Sequence, residues 1–150
     1  MINKELKNIA WFIPAAYLFH LTDEYFTGFH QWFSGTFDVN FSLNDFIIIN
    51  SIGFIAAVIV ATLYSLNKLN HFVIAVLGTL FFVNGVVHIA ASIFTVSYSP
   101  GTISACLFYL TLGYLVYKKI FPLIPEQQRS ISIVAGIIIQ IVVAVIALNI

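Results

Sequence analysis

Four uninterrupted apolar stretches, residues 45–66, 72–94, 102–121 and 131–150, each reach the ~20 residues that a helix needs to cross a bilayer. A fifth, residues 8–22, is shorter: at ~1.5 Å per residue it spans about 23 Å against a hydrocarbon core of ~30 Å. Its flanks must extend it, or its acidic end must lie within the membrane boundary; either way His20 sits below the surface. Pro14 removes a backbone donor inside this segment and is expected to bend it. A soluble domain carries roughly a quarter charged residues, whereas this chain has 8% charged and 61% hydrophobic residues. The expectation is an all-α integral membrane protein, one domain over residues 1–150, built as a bundle of about five transmembrane helices. With a net charge of zero, the chain shows no signature of nucleic-acid binding. Cys106, the single cysteine, has no partner for an internal disulfide. Lys4 and Lys7 would suit the start of a signal peptide, but Pro14-Ala15-Ala16 makes a poor cleavage site, so the first segment is expected to be retained.

The charges orient the bundle. Lys4 and Lys7 precede the first segment, Lys68 joins the second to the third, and Lys118, Lys119 and Arg129 flank the link before the fifth. Every cation therefore falls on one side, which should be cytoplasmic, while Asp23, Glu24, Asp38 and Asp45 fall on the other. The reading is a multi-pass protein of the cell membrane, with the N-terminus inside and the C-terminus outside.

The outer connection, residues 25–44, is aromatic rather than loop-like. Phe26, Phe29, Phe33 and Phe37 recur at three- and four-residue steps, as on one helix face, while Gly28 and Gly35 weaken a continuous helix. A short interfacial helix is expected, either anchoring the chain in the headgroup belt or covering what lies beneath it. Gln140, the one polar residue in the middle of the fifth segment, is expected to hydrogen-bond another helix. His30 and His71 lie near opposite surfaces without partners at ligand spacing.

What lies beneath is polar. His20, Asp23 and Glu24 occupy one face of the first helix at spacings of three and four, and such groups are functional candidates when they occur at membrane depth. On the third segment Asn84, His88, Ser92 and Thr95 form one helical stripe, with Gly85 beside it where a neighbouring helix can approach closely. His88 lies about six residues from the outer end, roughly 9 Å deep. Asn50-Ser51 of the second segment lie at a similar depth, so three helices bring polar groups to one level. Tyr98-Ser99-Pro100-Gly101-Thr102 then suits a type II turn, with Thr102 placed to cap the next helix and Tyr98 at the mouth of the pocket.

These motifs, in this order, resemble a bacterial and archaeal family of integral membrane proteins named for an H-x-x-E-E motif, which also carries N-x-x-x-H and Y-x-P-G motifs. Here they read His20–Glu24, Asn84–His88 and Tyr98–Gly101. The chain departs from the pattern at Asp23, where the family has Glu; one methylene of reach is lost there. The resemblance implies a shared site and supplies no reaction.

Two imidazoles and one or two carboxylates make a ligand set suited to zinc or non-haem iron. In this reading His20, Glu24 and His88 are the ligands, and Asp23 is a fourth ligand or an acceptor that orients an imidazole. Asn84 and Tyr98 would hydrogen-bond a substrate or a bound water, and Asn50, Ser92 and Trp32 are candidate substrate contacts. A water activated by the metal at neutral pH would attack an ester, amide or phosphoester presented by a lipid-like substrate from the outer leaflet. A metal-free enzyme with a histidine base is a further reading. A small proton- or ion-coupled transporter using the same cluster is another; the absence of an inverted repeat counts against it and would require an oligomer. The remaining reading is a polar network that fixes helix packing. Oligomeric state is left open.

Overall fold

The computed structural model describes residues 1–150 and is all-helical. Six helices follow in order: α1 (Lys4–Thr27), α2 (Phe29–Phe37), α3 (Leu43–Ser65), α4 (His71–Phe94), α5 (residues 102–119) and α6 (Glu126–Leu148). Helices α3, α4, α5 and α6 are each long and apolar enough to cross a membrane. At 24 residues α1 is as long, but His20, Asp23 and Glu24 fill its last two turns and lower its hydropathy. It extends beyond the expected 8–22 at both ends, because Asn3 caps its first turn and Gly28 stops its last. The Asn3 side chain accepts from the Leu6 amide. Gly28, at φ +77°, ends α1 in the left-handed conformation that glycine adopts without penalty.

Close approaches fix how the helices pair. Gly78 faces Val116, Gly113 faces Phe82, and Gly85 faces Tyr109 and Leu110, so α4 and α5 run antiparallel. Gly136 sits against Thr79 and Leu80, while the Asn84 amide donates to Gln140 Oε1 at 3.4 Å, so α4 and α6 run parallel. On the other flank, α1 packs on α3, with the Tyr17 hydroxyl seated over Gly53 and donating to Asn50 Oδ1 at 3.0 Å. The main core lies between α1, α3, α4 and α5: Ile13, Tyr64, Ile74, Tyr109, Leu112, Val116 and Ile120 are almost wholly buried. At the basic end, the Ile2 amide reaches Asn67 Oδ1, and Lys119 pairs with Glu5 at 2.7 Å.

The aromatic connection forms the expected short helix, α2. Phe33 and Phe41 are buried with Phe46 of α3 and Ala147 of α6, and Phe29 joins them. The inward stripe of α2 therefore caps the acidic end of the bundle, while Phe26 and Phe37 remain exposed.

Candidate metal centre

His20 and Glu24 share a face of α1 because four residues make slightly more than one helical turn. His88 reaches them from the C-terminal half of α4. The three are 2%, 5% and 4% exposed, so they are withdrawn from solvent as well as convergent. Glu24 Oε1 lies 3.4 Å from His20 Nε2 and 3.3 Å from His88 Nε2, and one ligating atom from each residue falls within 4.8 Å of the others. Four-coordinate zinc with bonds of about 2.0–2.1 Å places its ligands about 3.3 Å apart, so two edges of the triangle already have the length a metal requires. A charge-assisted N–H···O bond would be shorter, about 2.7–2.9 Å. The donor set is one that could hold a zinc or ferrous ion.

The turn after α4 closes over this triangle. Pro100-Gly101 forms the expected type II turn: Gly101 has φ +91° and ψ −10°, and the Thr102 amide donates to Ser99 O at 3.1 Å. A methyl group on Gly101 would lie 2.7 Å from Glu24 Cγ, 2.8 Å from His20 Cε1 and 3.1 Å from His88 Cε1. The backbone here touches all three side chains, which is why the position must be glycine. Thr102 does not cap α5 with its side chain; its hydroxyl donates to Ser99 O at 2.6 Å, tightening the turn itself.

Around the triangle, each imidazole meets a serine: His20 Nδ1 lies 3.0 Å from Ser104 Oγ, and His88 Nδ1 lies 3.3 Å from Ser99 Oγ. The Tyr109 ring packs on His20 with centroids 4.3 Å apart, and Phe29 stands 5.8 Å from the His88 ring. The sequence reading missed Ser99, Ser104 and Tyr109. Ser104 had one usable signal, being a polar residue near the N-terminal end of its segment, at the same end of the bundle as His20. Tyr109 had none, since an aromatic in an apolar run reads as core.

The other candidates lie as follows. Asp23 Oδ2 accepts from the Ser104 amide at 3.0 Å and stands outside the triangle. Tyr98 is 44% exposed at the rim; partial burial and the nearby Asp23 charge push its phenol above the ordinary range. Ser92 Oγ accepts from the Ser99 amide and contacts Thr102, tying the turn to α4. The Trp32 indole donates to Ser97 Oγ at 3.3 Å, tying α2 to the same turn. Asn84 reaches Gln140 on α6, and its carbonyl oxygen is buried without a partner. Asn50 lines a groove between α1 and α3 with Leu21, Thr22 and Tyr25, on a face of α1 that His20 and Glu24 do not occupy. His71 bonds Tyr64 at the basic end, at 2.7 Å.

An all-helical chain with four membrane-length apolar helices and a buried His–Glu–His triangle under a Pro-Gly turn defines the class: a small polytopic helical protein with a metal-competent polar centre. The chain belongs to the HXXEE family, described as proteins of unknown function with an HXXEE motif, whose profile matches residues 11–116. That range holds all three triangle residues and the turn over them, and it stops before α6. No curated protein and no solved structure matches the chain.

Proposed function

We propose that this protein is a membrane-embedded, metal-dependent hydrolase acting on a lipid-like or amphiphilic substrate. The observation that carries the reading is the triangle of His20, Glu24 and His88, with ligand atoms at metal-compatible separations and all three side chains almost wholly buried. Burying three ionisable side chains costs several kcal/mol; the pairing of Glu24 with the two imidazoles offsets part of that, and a bound cation would offset more. His20, Glu24 and His88 would hold zinc or ferrous iron. Such an ion supplies a Lewis acid that polarises a carbonyl or phosphoryl oxygen and makes water acidic enough to attack at neutral pH. The chain's own groups supply the rest. The Tyr98 phenol, 44% exposed on the turn beside the triangle, would donate a hydrogen bond to substrate. Phe29 and Tyr109 surround the imidazoles with apolar surface and exclude bulk water. The positive-inside rule puts the six cations in the cytoplasm and the cluster near the outer leaflet.

The test is elemental analysis of detergent-purified protein, followed by hydrolysis assays on ester, amide and phosphoester amphiphiles. Stoichiometric zinc or iron is expected in wild type and absent from His20→Ala and His88→Ala. Tyr98→Phe should keep the metal and lose turnover. A carboxylate lying between two imidazoles also supports a second reading, proton relay. Wild type that stays metal-free after reloading with zinc and with ferrous iron would sink the hydrolase and leave the relay.

A further inference from the structure

Four residues separate Asp23 from Phe19 on α1, and four separate Ser104 from Phe108 on α5, so each aromatic ring lies about one turn below a polar residue. The two helices meet along this line. Asp23 Oδ2 accepts from the Ser104 amide at 3.0 Å, and the Phe19 and Phe108 rings stack with centroids 5.2 Å apart and planes 20° apart. Tyr98 stands beside Asp23 at the rim, and Ala15, a further turn down α1, is exposed and carries only a methyl group. Phe19, Ile103 and Leu107 are exposed along the same side. From the acidic end inward the seam therefore presents a carboxylate and a phenol, then aromatic rings, then small apolar surface. A membrane lipid has the same order of polarity, headgroup before chain.

The polar end of the seam lacks a charged partner. Asp23 is half-buried, yet only its Oδ2 is hydrogen-bonded, and no cation of the chain pairs with it. A carboxylate drawn partly out of water is stabilised when a positive group meets it. Asp38 and Asp45 lie at the same end, whereas all six Lys and Arg lie at the other. The charge complement of this end is a cation, and the aromatic surface of Tyr98 and Phe19 on either side of Asp23 attracts the same charge. We propose that the α1–α5 seam docks a membrane lipid whose headgroup carries a primary ammonium, with Asp23 Oδ1 accepting from the ammonium and the Phe19–Phe108 pair lying against the first carbons of its chain. This goes beyond the hydrolase reading and does not depend on it, because nothing in the docking requires a metal. A lipid held here lies beside the centre, since Ser104 contacts both Asp23 and His20.

The experiment titrates full-length, metal-free protein in detergent with phosphatidylethanolamine and with phosphatidylglycerol, and reads bound lipid by native mass spectrometry. Both lipids carry one phosphate, so the comparison isolates the ammonium. Wild type should bind phosphatidylethanolamine at least about tenfold more tightly, as a hydrogen bond to a charged group allows. Asp23→Asn keeps a side-chain oxygen for the Ser104 amide and so keeps the helix contact, but it removes the charge. Its affinity for phosphatidylethanolamine should fall about 10–100-fold, to the level of phosphatidylglycerol. Phe19→Ala, a change on exposed surface, should weaken phosphatidylethanolamine binding with the thermal midpoint unchanged. Asp38→Asn, at the same end but off the seam, should bind as wild type does. Equal binding of the two lipids by wild type overturns the proposal without recourse to any variant. Asp38→Asn losing as much as Asp23→Asn overturns the seam and makes the preference a property of the acidic end as a whole. Displacement of the lipid by an equal concentration of soluble glycerophosphoethanolamine overturns the lipid as occupant in favour of a free amine. Protein that prefers phosphatidylethanolamine but never takes zinc keeps the seam and loses the hydrolase; zinc-loaded protein with no lipid preference does the reverse.

Discussion

Gly101 carries φ +91°, and any side chain there would be driven into His20, Glu24 and His88 together. Those side chains cannot yield without dismantling the triangle they form. Gly101→Ala should therefore cost more than the ~1–2 kcal/mol of a left-handed L-residue, and it should abolish zinc binding along with stability. Gly35 is the control. It lies exposed in the last turn of α2, with nothing within 4 Å of an added methyl, so Gly35→Ala should be neutral or stabilising by up to about 0.5–1 kcal/mol. Thermal unfolding in detergent compares the two. Equal midpoints would mean that the turn is not seated on the triangle.

At the scale of elements, the first turns of α5 are irregular where it meets the centre. Residues Ala105–Tyr109 are π-helical, between one α-turn and the regular Leu110–Lys119 segment. The wider turn sits between Ser104, which meets His20 Nδ1, and Tyr109, which packs on the same ring, and single π-turns of this kind are frequent at functional sites. The α4–α6 seam is built differently, on small residues and one polar pair. A methyl on Gly136 would come within 2.9 Å of the Leu80 backbone nitrogen, which cannot move aside as a side-chain end can. Gly136→Val should cost about 1–3 kcal/mol by overpacking. Gln140→Leu, which removes the partner of Asn84, should cost less, near the ~0.6 kcal/mol average for interhelical hydrogen bonds in membranes. Thermal midpoints ranked the other way would make the polar pair, rather than close packing, the main tie between these helices.

At the scale of the whole molecule, α1 and the four membrane-length apolar helices place both ends of the charge pattern. Glu5 on α1 and Lys119 on α5 meet at the basic end, and Asp23 meets α5 at the other. An exposed pair such as Lys119–Glu5 contributes at most about 1 kcal/mol, so orientation rests on the summed cations and not on that contact. A C-terminal reporter active only in the cytoplasm is expected to be silent, and the same reporter on the N-terminus active. A strong cytoplasmic signal from the C-terminus would reverse or reduce the spans and put the cluster at the inner leaflet.

Helix existence, approximate limits and the end of the bundle at which each polar group lies were legible in the sequence, because hydrophobic length and position along a segment are local properties of the chain. The pairing of His20 with Glu24 was legible for the same reason: it lies within one helix at a spacing of four. His88 joined them through its depth, which follows from counting residues to the helix end. Depth is only one coordinate, however. Asn50 and Asn84 share the level of the cluster, yet the structure turns one to Tyr17 and the other to Gln140. Ser104 and Tyr109, neither of them singled out in the sequence, are turned onto His20. Rotation about a helix axis decides these outcomes. In a soluble protein the boundary between polar and apolar faces records that rotation in the sequence. Here lipid and core are both apolar, so the faces of α3, α4, α5 and α6 look alike, and rotation is set by where glycines let helices approach. Only the packed structure could place the triangle under Gly101 and the serines behind its imidazoles.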